Sequence, residues 1–164
     1  MEYIYIGEIV NTHGIKGEVR IISDFRYKDS VFKKGNKVYV GRVKDELILN
    51  SYRQHKMYDM VTFNDLNNIN DVIIYKGDKV YVNRNDLLID GYCNEDIIGL
   101  DVYMGDRKLG QVKYIIESKA HEILVISEGD KKHMIPNIDE FIKEVDLENK
   151  KIYINEIEGL INED

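Results

Sequence analysis

The 164-residue chain has a single cysteine, Cys93. No internal disulfide can form, and a cysteine-based zinc cluster is excluded. A reducing, cytoplasmic setting is therefore expected. No apolar run approaches the ~18 residues that cross a bilayer as a helix, so no membrane partner is expected. The start, "MEYIYIGEIV", lacks a basic segment followed by a small-residue cleavage site, and no signal peptide is expected. Catalytic signatures are missing too. None of the serines (Ser23, Ser30, Ser51, Ser118, Ser127) stands in G-x-S-x-G. "HEILV" at 121–125 begins like a zincin helix but ends in valine and reads as a strand. His55 and His133 stand among polar turn residues without metal-ligand spacing, and the many carboxylates form no evident pair. These absences predict a protein that is not an enzyme and needs neither metal nor cofactor.

What is present is a globular composition, 43% hydrophobic and 32% charged. The net charge of −7 is unevenly spread: residues 1–85 sum to +3 and residues 86–164 to −10. Such a split suggests two domains with different partners. The acidic half should repel nucleic acid and attract a basic protein, unless the acidity serves only solubility. Short runs rich in Ile, Val and Tyr dominate: "YIYIGEIV", "EVRIIS", "KVYV", "ELILNSY", "YDMVTF", "KVYV" again, "DVYM", "EILVIS" and "KIYINEI". Gly, Asn and Asp separate them. Two stretches predict helix. "NNINDVIIYKG" carries an Asn67 or Asn68 cap and a Gly77 stop; "NIDEFIKEVD" places Ile138, Phe141, Ile142 and Val145 on one face. The fold class expected is all-β (mainly β), with two small β-barrels joined by a short linker and one or two short helices. The polar stretch at 83–96 places the boundary, giving domains 1–85 and 86–164 with the linker at about 83–92.

"GEIVNTHGIKGEVRI" (7–21) concentrates glycine and charge. It lacks the glycine and lysine spacing of a P-loop, and a strand rather than a helix follows it. "GIKG" matches the GXXG of KH domains, but that loop joins helices. The stretch instead predicts a hairpin in which Gly14 and Gly17 take positive φ. His13, alone at a turn, reads as structural or solvent-facing rather than as a base. Lys16 and Arg20 could touch phosphates or simply be solvated.

The chain as a whole resembles the ribosome maturation factor RimM family. "IGEIVNTHGIKGEVRI" is similar to the family's amino-terminal G-x-I-x-x-x-H-G-x-x-G-E-V signature. "DIIGLDVYMGDRKLGQVKYIIE" resembles the opening of its PRC barrel, with an acidic residue, an aliphatic pair and Gly, then an L-G-x-V turn. "MIPNIDEFIKEVDLENKKIYINEIEGLI" resembles its tail. The motifs run from residue 6 to 161 in the family's order.

The resemblance implies a translation-factor-like barrel followed by a PRC barrel that grips a small-subunit head protein, the ribosomal protein numbered nineteen. It implies a non-enzymatic accessory factor for maturation of the 30S subunit that contacts the immature subunit and its 16S rRNA. His13, Lys16 and Arg20 then become the rRNA-facing residues. Tyr92, Cys93, Glu95 and Asp96 become the partner-binding residues, and a monomer is expected. The family often carries two adjacent tyrosines where this chain has Tyr92-Cys93, so Tyr92 acts either as an interface anchor or as linker packing. A tyrosine restored at 93 is expected to be neutral or to tighten binding. A second departure, "SKAHEILV" at 118–125, reads as turn variation. Rival readings are an RNA-binding translation-factor-like module acting elsewhere, a PRC-barrel adaptor of another complex, and an enzyme whose site is assembled from scattered residues.

Overall fold

The computed structural model describes residues 1–117 and 120–161; Ser118 and Lys119, the first two positions of the 118–125 variation, lie outside them. The chain divides into two compact units, Met1–Asp90 and Gly91–Asp164. Both are mainly β with a few short helices.

In the first unit, β1 (Tyr3–His13), β2 (Glu18–Ile22), β3 (Lys37–Val40), β4 (Asp45–His55), β5 (Tyr58–Phe63) and β6 (Lys79–Asn83) form a closed barrel in the order β1-β2-β5-β4-β3-β6. Every pairing is antiparallel, and β6 returns to β1 to complete the circuit. Alternation sets the inside of the barrel: Val19 and Ile21 of β2, Val80 and Val82 of β6, and Ile4 and Ile6 of β1 are buried. Val61, Phe63 and Leu49 fill the remainder. Each such side chain contributes ~1.5–3 kcal/mol on burial. β1 serves two neighbours through two bulges, at Tyr5/Gly7 and Ile9/Asn11.

Helix α1 (Lys28–Val31) lays Val31 and Phe32 against this core. Its Lys28 Nζ lies 2.8 Å from Asp59 Oδ2. The Asp59 side chain is 1% exposed, and Tyr52 Oη donates to its Oδ1 at 2.7 Å. Burial, together with this bond to a carboxylate, pushes the Tyr52 phenol up to about 12. Sequence reasoning found no evident pair among the carboxylates and missed this one. Helix α2 (Ile69–Val72) is capped by Asn68, whose side chain accepts from Asn70 N while Asp71 accepts from Asn68 N. It runs into a 3-10 turn at Ile73–Tyr75 and stops at Gly77 with φ +88°.

In the second unit, helix α3 (Asn94–Ile97) precedes β7 (Asp101–Met104), β8 (Arg107–Ile116), β9 (Ile123–Glu128), β10 (Lys131–Pro136), β11 (Ile142–Asp146) and β12 (Lys151–Ile154). They form one six-stranded sheet in the order β10-β9-β8-β7-β12-β11, in which β12 pairs with β7 in parallel. Its core gathers Ile97, Val102, Leu109, Val112, Leu124, Ile126, Ile135 and Ile152.

Three expectations for this unit need correction. "NIDEFIKEVD" is not a helix. Ile138–Ile142 closes one helical turn, with Ile142 N donating to Ile138 O at 2.9 Å, and the chain then extends into β11. Pairing with β12 captures the β-branched Ile142 and Val145, and tertiary pairing overrides the helical spacing. Phe141, Ile142 and Val145 still pack on the core. The L-G-x-V segment is not a turn: Leu109, Gly110 and Val112 lie inside β8. His133 is not in a polar turn: it is fully buried on β10, with Nε2 3.1 Å from Glu128 Oε1. That hydrogen bond, aided by Arg107, holds the Glu128 carboxyl below the usual range.

Candidate functional site

The β1–β2 hairpin is built by its glycines. His13 pairs with Glu18, leaving Gly14-Ile15-Lys16-Gly17 as the loop. Gly14 has φ +69° and Gly17 φ +92°. A Cβ on Gly17 would stand 2.2 Å from Leu66 O, so the residue is demanded by space as well as by backbone. The loop is tied to the start of α2 by Ile69 N donating to Ile15 O at 2.9 Å.

This turn brings His13 and Arg20 together across the two strands. Arg20 Nη2 donates to His13 Nδ1 at 2.8 Å. A guanidinium only donates, so Nδ1 accepts and the neutral ring carries its proton on Nε2. The Arg20 guanidinium also lies over Tyr58, 5.5 Å from the ring centroid. The His55 ring stands 6.1 Å from that of His13. Arg53 grips Glu18 through two bonds, 2.9 and 2.8 Å, and this hydrogen bonding holds the Glu18 carboxyl below the usual range. Lys16 does not join the cluster and is exposed at the loop tip. The corner is thus a half-buried cluster of rings and two guanidinium groups on the outside of the barrel, one of them paired with Glu18. It offers cations and rings to a ligand but no nucleophile activated by a base.

The second candidate group surrounds α3. Cys93 is its N-cap residue, and Cys93 N donates to Asp96 Oδ2 at 2.7 Å. Tyr92 is half-buried against the core of the second unit. Its hydroxyl lies 3.4 Å from Asn137 Oδ1 and 3.3 Å from Asn137 Nδ2. Glu95 is exposed. Of the four residues, Glu95 presents charge openly, Asp96 caps a helix, and Tyr92 has one side engaged.

Cys93 is only 4% exposed, which changes what a tyrosine there would do. A ring in that space overpacks the core, so Cys93→Tyr is expected to destabilise the second unit by about 1–3 kcal/mol rather than to be neutral. A urea titration followed by circular dichroism checks this; an unchanged midpoint would show that the site has room.

Sequence reasoning missed one surface entirely. Tyr5 faces Tyr81 across β1 and β6, and Tyr39 faces Tyr81 across β3 and β6. The repeated "KVYV" and the alternating "YIYI" carried the signal, because alternation with buried Ile and Val turns every one of these tyrosines outward. Among the described residues, no group of three or more His, Cys, Asp or Glu could hold a metal ion, and no helix is long and apolar enough to cross a membrane.

Known proteins match this two-unit arrangement. A family model for the RimM N-terminal domain matches residues 4–87, and one for the RimM PRC barrel domain matches residues 94–160. The chain is 40% identical over 166 residues to the ribosome maturation factor RimM of Staphylococcus haemolyticus, covering 97% of this chain and 99% of that protein. It is 36% identical over 167 residues to the protein of the same name from Exiguobacterium sibiricum, covering 98% and 99%. The solution structure of the N-terminal domain of RimM from Thermus thermophilus is similar at 16% identity and a TM-score of 0.47, covering 54% of this chain and 98% of that one. With both domain models matched in order and relatives aligned over nearly its whole length, the chain belongs to the RimM family.

Proposed function

We propose that the protein is a non-enzymatic accessory factor in maturation of the small ribosomal subunit, working in the cytoplasm as a monomer. The observation that carries this reading is the match to both RimM domain models, together with relatives named as ribosome maturation factors along almost the entire chain. The second unit binds a basic protein of the subunit head, the ribosomal protein numbered nineteen, around Tyr92 and Glu95. The first unit contacts 16S rRNA through the His13–Arg20 corner and Lys16. The charge difference, +3 against −10, supports this assignment of partners. Such a factor acts by binding the immature state more tightly than the mature one, so its departure is set by that difference.

Co-sedimentation tests the reading. The full chain should travel with immature small subunits and not with mature ones. Lys16→Gln combined with Arg20→Gln should weaken that association and flatten its log–log salt dependence by roughly one to two. Equal association with mature and immature particles would overturn the assembly reading. An unchanged salt slope would remove the two residues from the interface.

A further inference from the structure

The solvated side of a half-buried antiparallel strand is ordinarily polar. The outer side of β1, β6 and β3 instead sets a cluster of tyrosines among Lys37, Lys79, Asn83 and Glu8. Ile4, Ile6, Val80, Val82, Val38 and Val40 turn inward and are buried. Tyr3, Tyr5, Tyr81 and Tyr39 therefore share the outer side. Tyr5, Tyr81 and Tyr39 stand in one register row across three strands. Their rings meet edge to face: Tyr5–Tyr81 at 6.0 Å, Tyr3–Tyr81 at 6.3 Å and Tyr3–Tyr39 at 5.2 Å between centroids. Tyr39 is buried at the base, whereas Tyr5 is 49% and Tyr3 36% exposed.

Two cations flank the rings. Lys44, held in the β3–β4 hairpin at φ +57°, places Nζ 4.2 Å from the Tyr81 centroid and 5.5 Å from that of Tyr3. Lys79 Nζ lies 5.9 Å from the Tyr5 centroid. Glu46, directly opposite Tyr39, is engaged by Lys37 at 3.7 Å and by the Tyr39 hydroxyl at 3.3 Å. The ammonium groups of Lys44 and Lys79 thus lie over ring faces, with Glu8 opposite Lys79 across β1 and β6.

We propose that this outer face, centred on Tyr5 and Tyr81 and flanked by Lys44 and Lys79, is a stacking platform for unpaired bases of single-stranded RNA. The inference rests on the assembly-factor reading and gives the first unit a second RNA-contacting surface, besides the His13 corner. Exposed aromatic faces with adjacent cations form the sequence-tolerant mode of single-strand binding, in which bases stack on the rings and cations follow the phosphates. A base that takes the ring face displaces the lysine toward the phosphate of the same nucleotide. The positive sum of residues 1–85 favours this polyanion. A second copy fits less well, because a two-fold pairing of this face with itself would bring the Lys44 and Lys79 charges of one copy against the same cationic face of the other.

The chain has 12 tyrosines and no tryptophan, so its intrinsic fluorescence comes from tyrosine. The test titrates the full chain with a short single-stranded oligouridylate and follows quenching and salt dependence. Tyr5→Ala should weaken binding about 5- to 150-fold, the range for loss of one stacked base. Tyr5→Phe, which keeps the ring, should bind as wild type does. Lys44→Gln should lower the log–log salt slope by about 0.7. Equal binding by Tyr5→Ala, or a preference for duplex RNA, would overturn the platform. So would a wild-type dimer that Tyr5→Ala dissolves, because the face would then belong to a second copy.

Co-sedimentation with immature subunits, run in parallel, separates the two claims. If wild type fails to co-sediment but oligonucleotide binding tracks Tyr5, the platform stands and the assembly reading falls. If wild type co-sediments but neither it nor Tyr5→Ala binds the oligonucleotide, or both bind it equally, the platform alone falls.

Discussion

Gly110→Ala should destabilise the second unit by about 3–5 kcal/mol. Gly110 sits within β8 at φ +134°, and a Cβ there would stand 2.0 Å from Ser127 O and 2.7 Å from Ser127 C on β9. Both contacts are backbone, so no side chain can swing aside to make room. The β8–β9 ladder must part or the residue must leave its conformation, which by itself costs about 1–3 kcal/mol. At ~0.05–0.15 kcal/mol per residue, a unit of this size holds only about 4–11 kcal/mol in total. Amide exchange under increasing urea checks the expectation: protection of β8 and β9 should collapse early, while β1 and β2 stay as in wild type. Wild-type protection in β8 and β9 would show that the sheet yields at little cost.

The next largest effect is expected at the buried carboxylate of the first unit. Lys28→Met leaves the Asp59 carboxyl 1% exposed, without its cation and with the Tyr52 hydroxyl as its remaining side-chain partner described above. Removing one partner of a buried pair typically costs about 3–5 kcal/mol; since Lys28 is 32% exposed, about 3 is expected here. Adding Asp59→Asn to Lys28→Met should recover much of the loss, and the coupling is read from a double-mutant cycle. The same cluster shapes the alkaline limb. The Tyr52 phenol is raised from its ordinary 10.0 to about 12. Its contribution is therefore complete below pH ~10 and is lost as the pH rises through about 12. Tyr52→Phe should lack that part of the decline in denaturation midpoints taken from pH 9 upward, and a Tyr52→Phe curve parallel to wild type throughout would remove Tyr52 as its source.

The barrel was legible where one face is buried and the other wet. β2, β3, β5 and β6 all stand out through the alternation of Ile, Val or Phe with polar or tyrosine neighbours. β8 was hidden by Gly110 and by its run of charged and polar residues, and β10 by two leading lysines and a closing proline. β11 was misread because Ile138, Phe141, Ile142 and Val145 satisfy helical spacing; only the long-range ladder to β12 decides against it. The hairpin corner shows a similar limit. Glycine spacing fixed the turn, but the contact of His13 with Arg20 depends on register, and that of Arg20 with Tyr58 depends on a third strand. The buried Asp59 gave no local signal, since its burial comes from α1 and β4.

The closure of the first barrel also has a consequence in time. β1 pairs with β6, so the first strand of this unit to leave the ribosome exit tunnel completes its ladder with the last. At ~5–20 residues per second, about 4–16 s pass between synthesis of Tyr3 and of Asn83. Throughout that interval the "YIYIG" edge is unsatisfied, and it is rich in β-forming side chains of the kind that seek any other free strand. Long-range closure is also the slow step of such topologies. A nascent chain whose β6 is still inside the tunnel should therefore depend on holdase chaperones far more than one whose β6 has emerged.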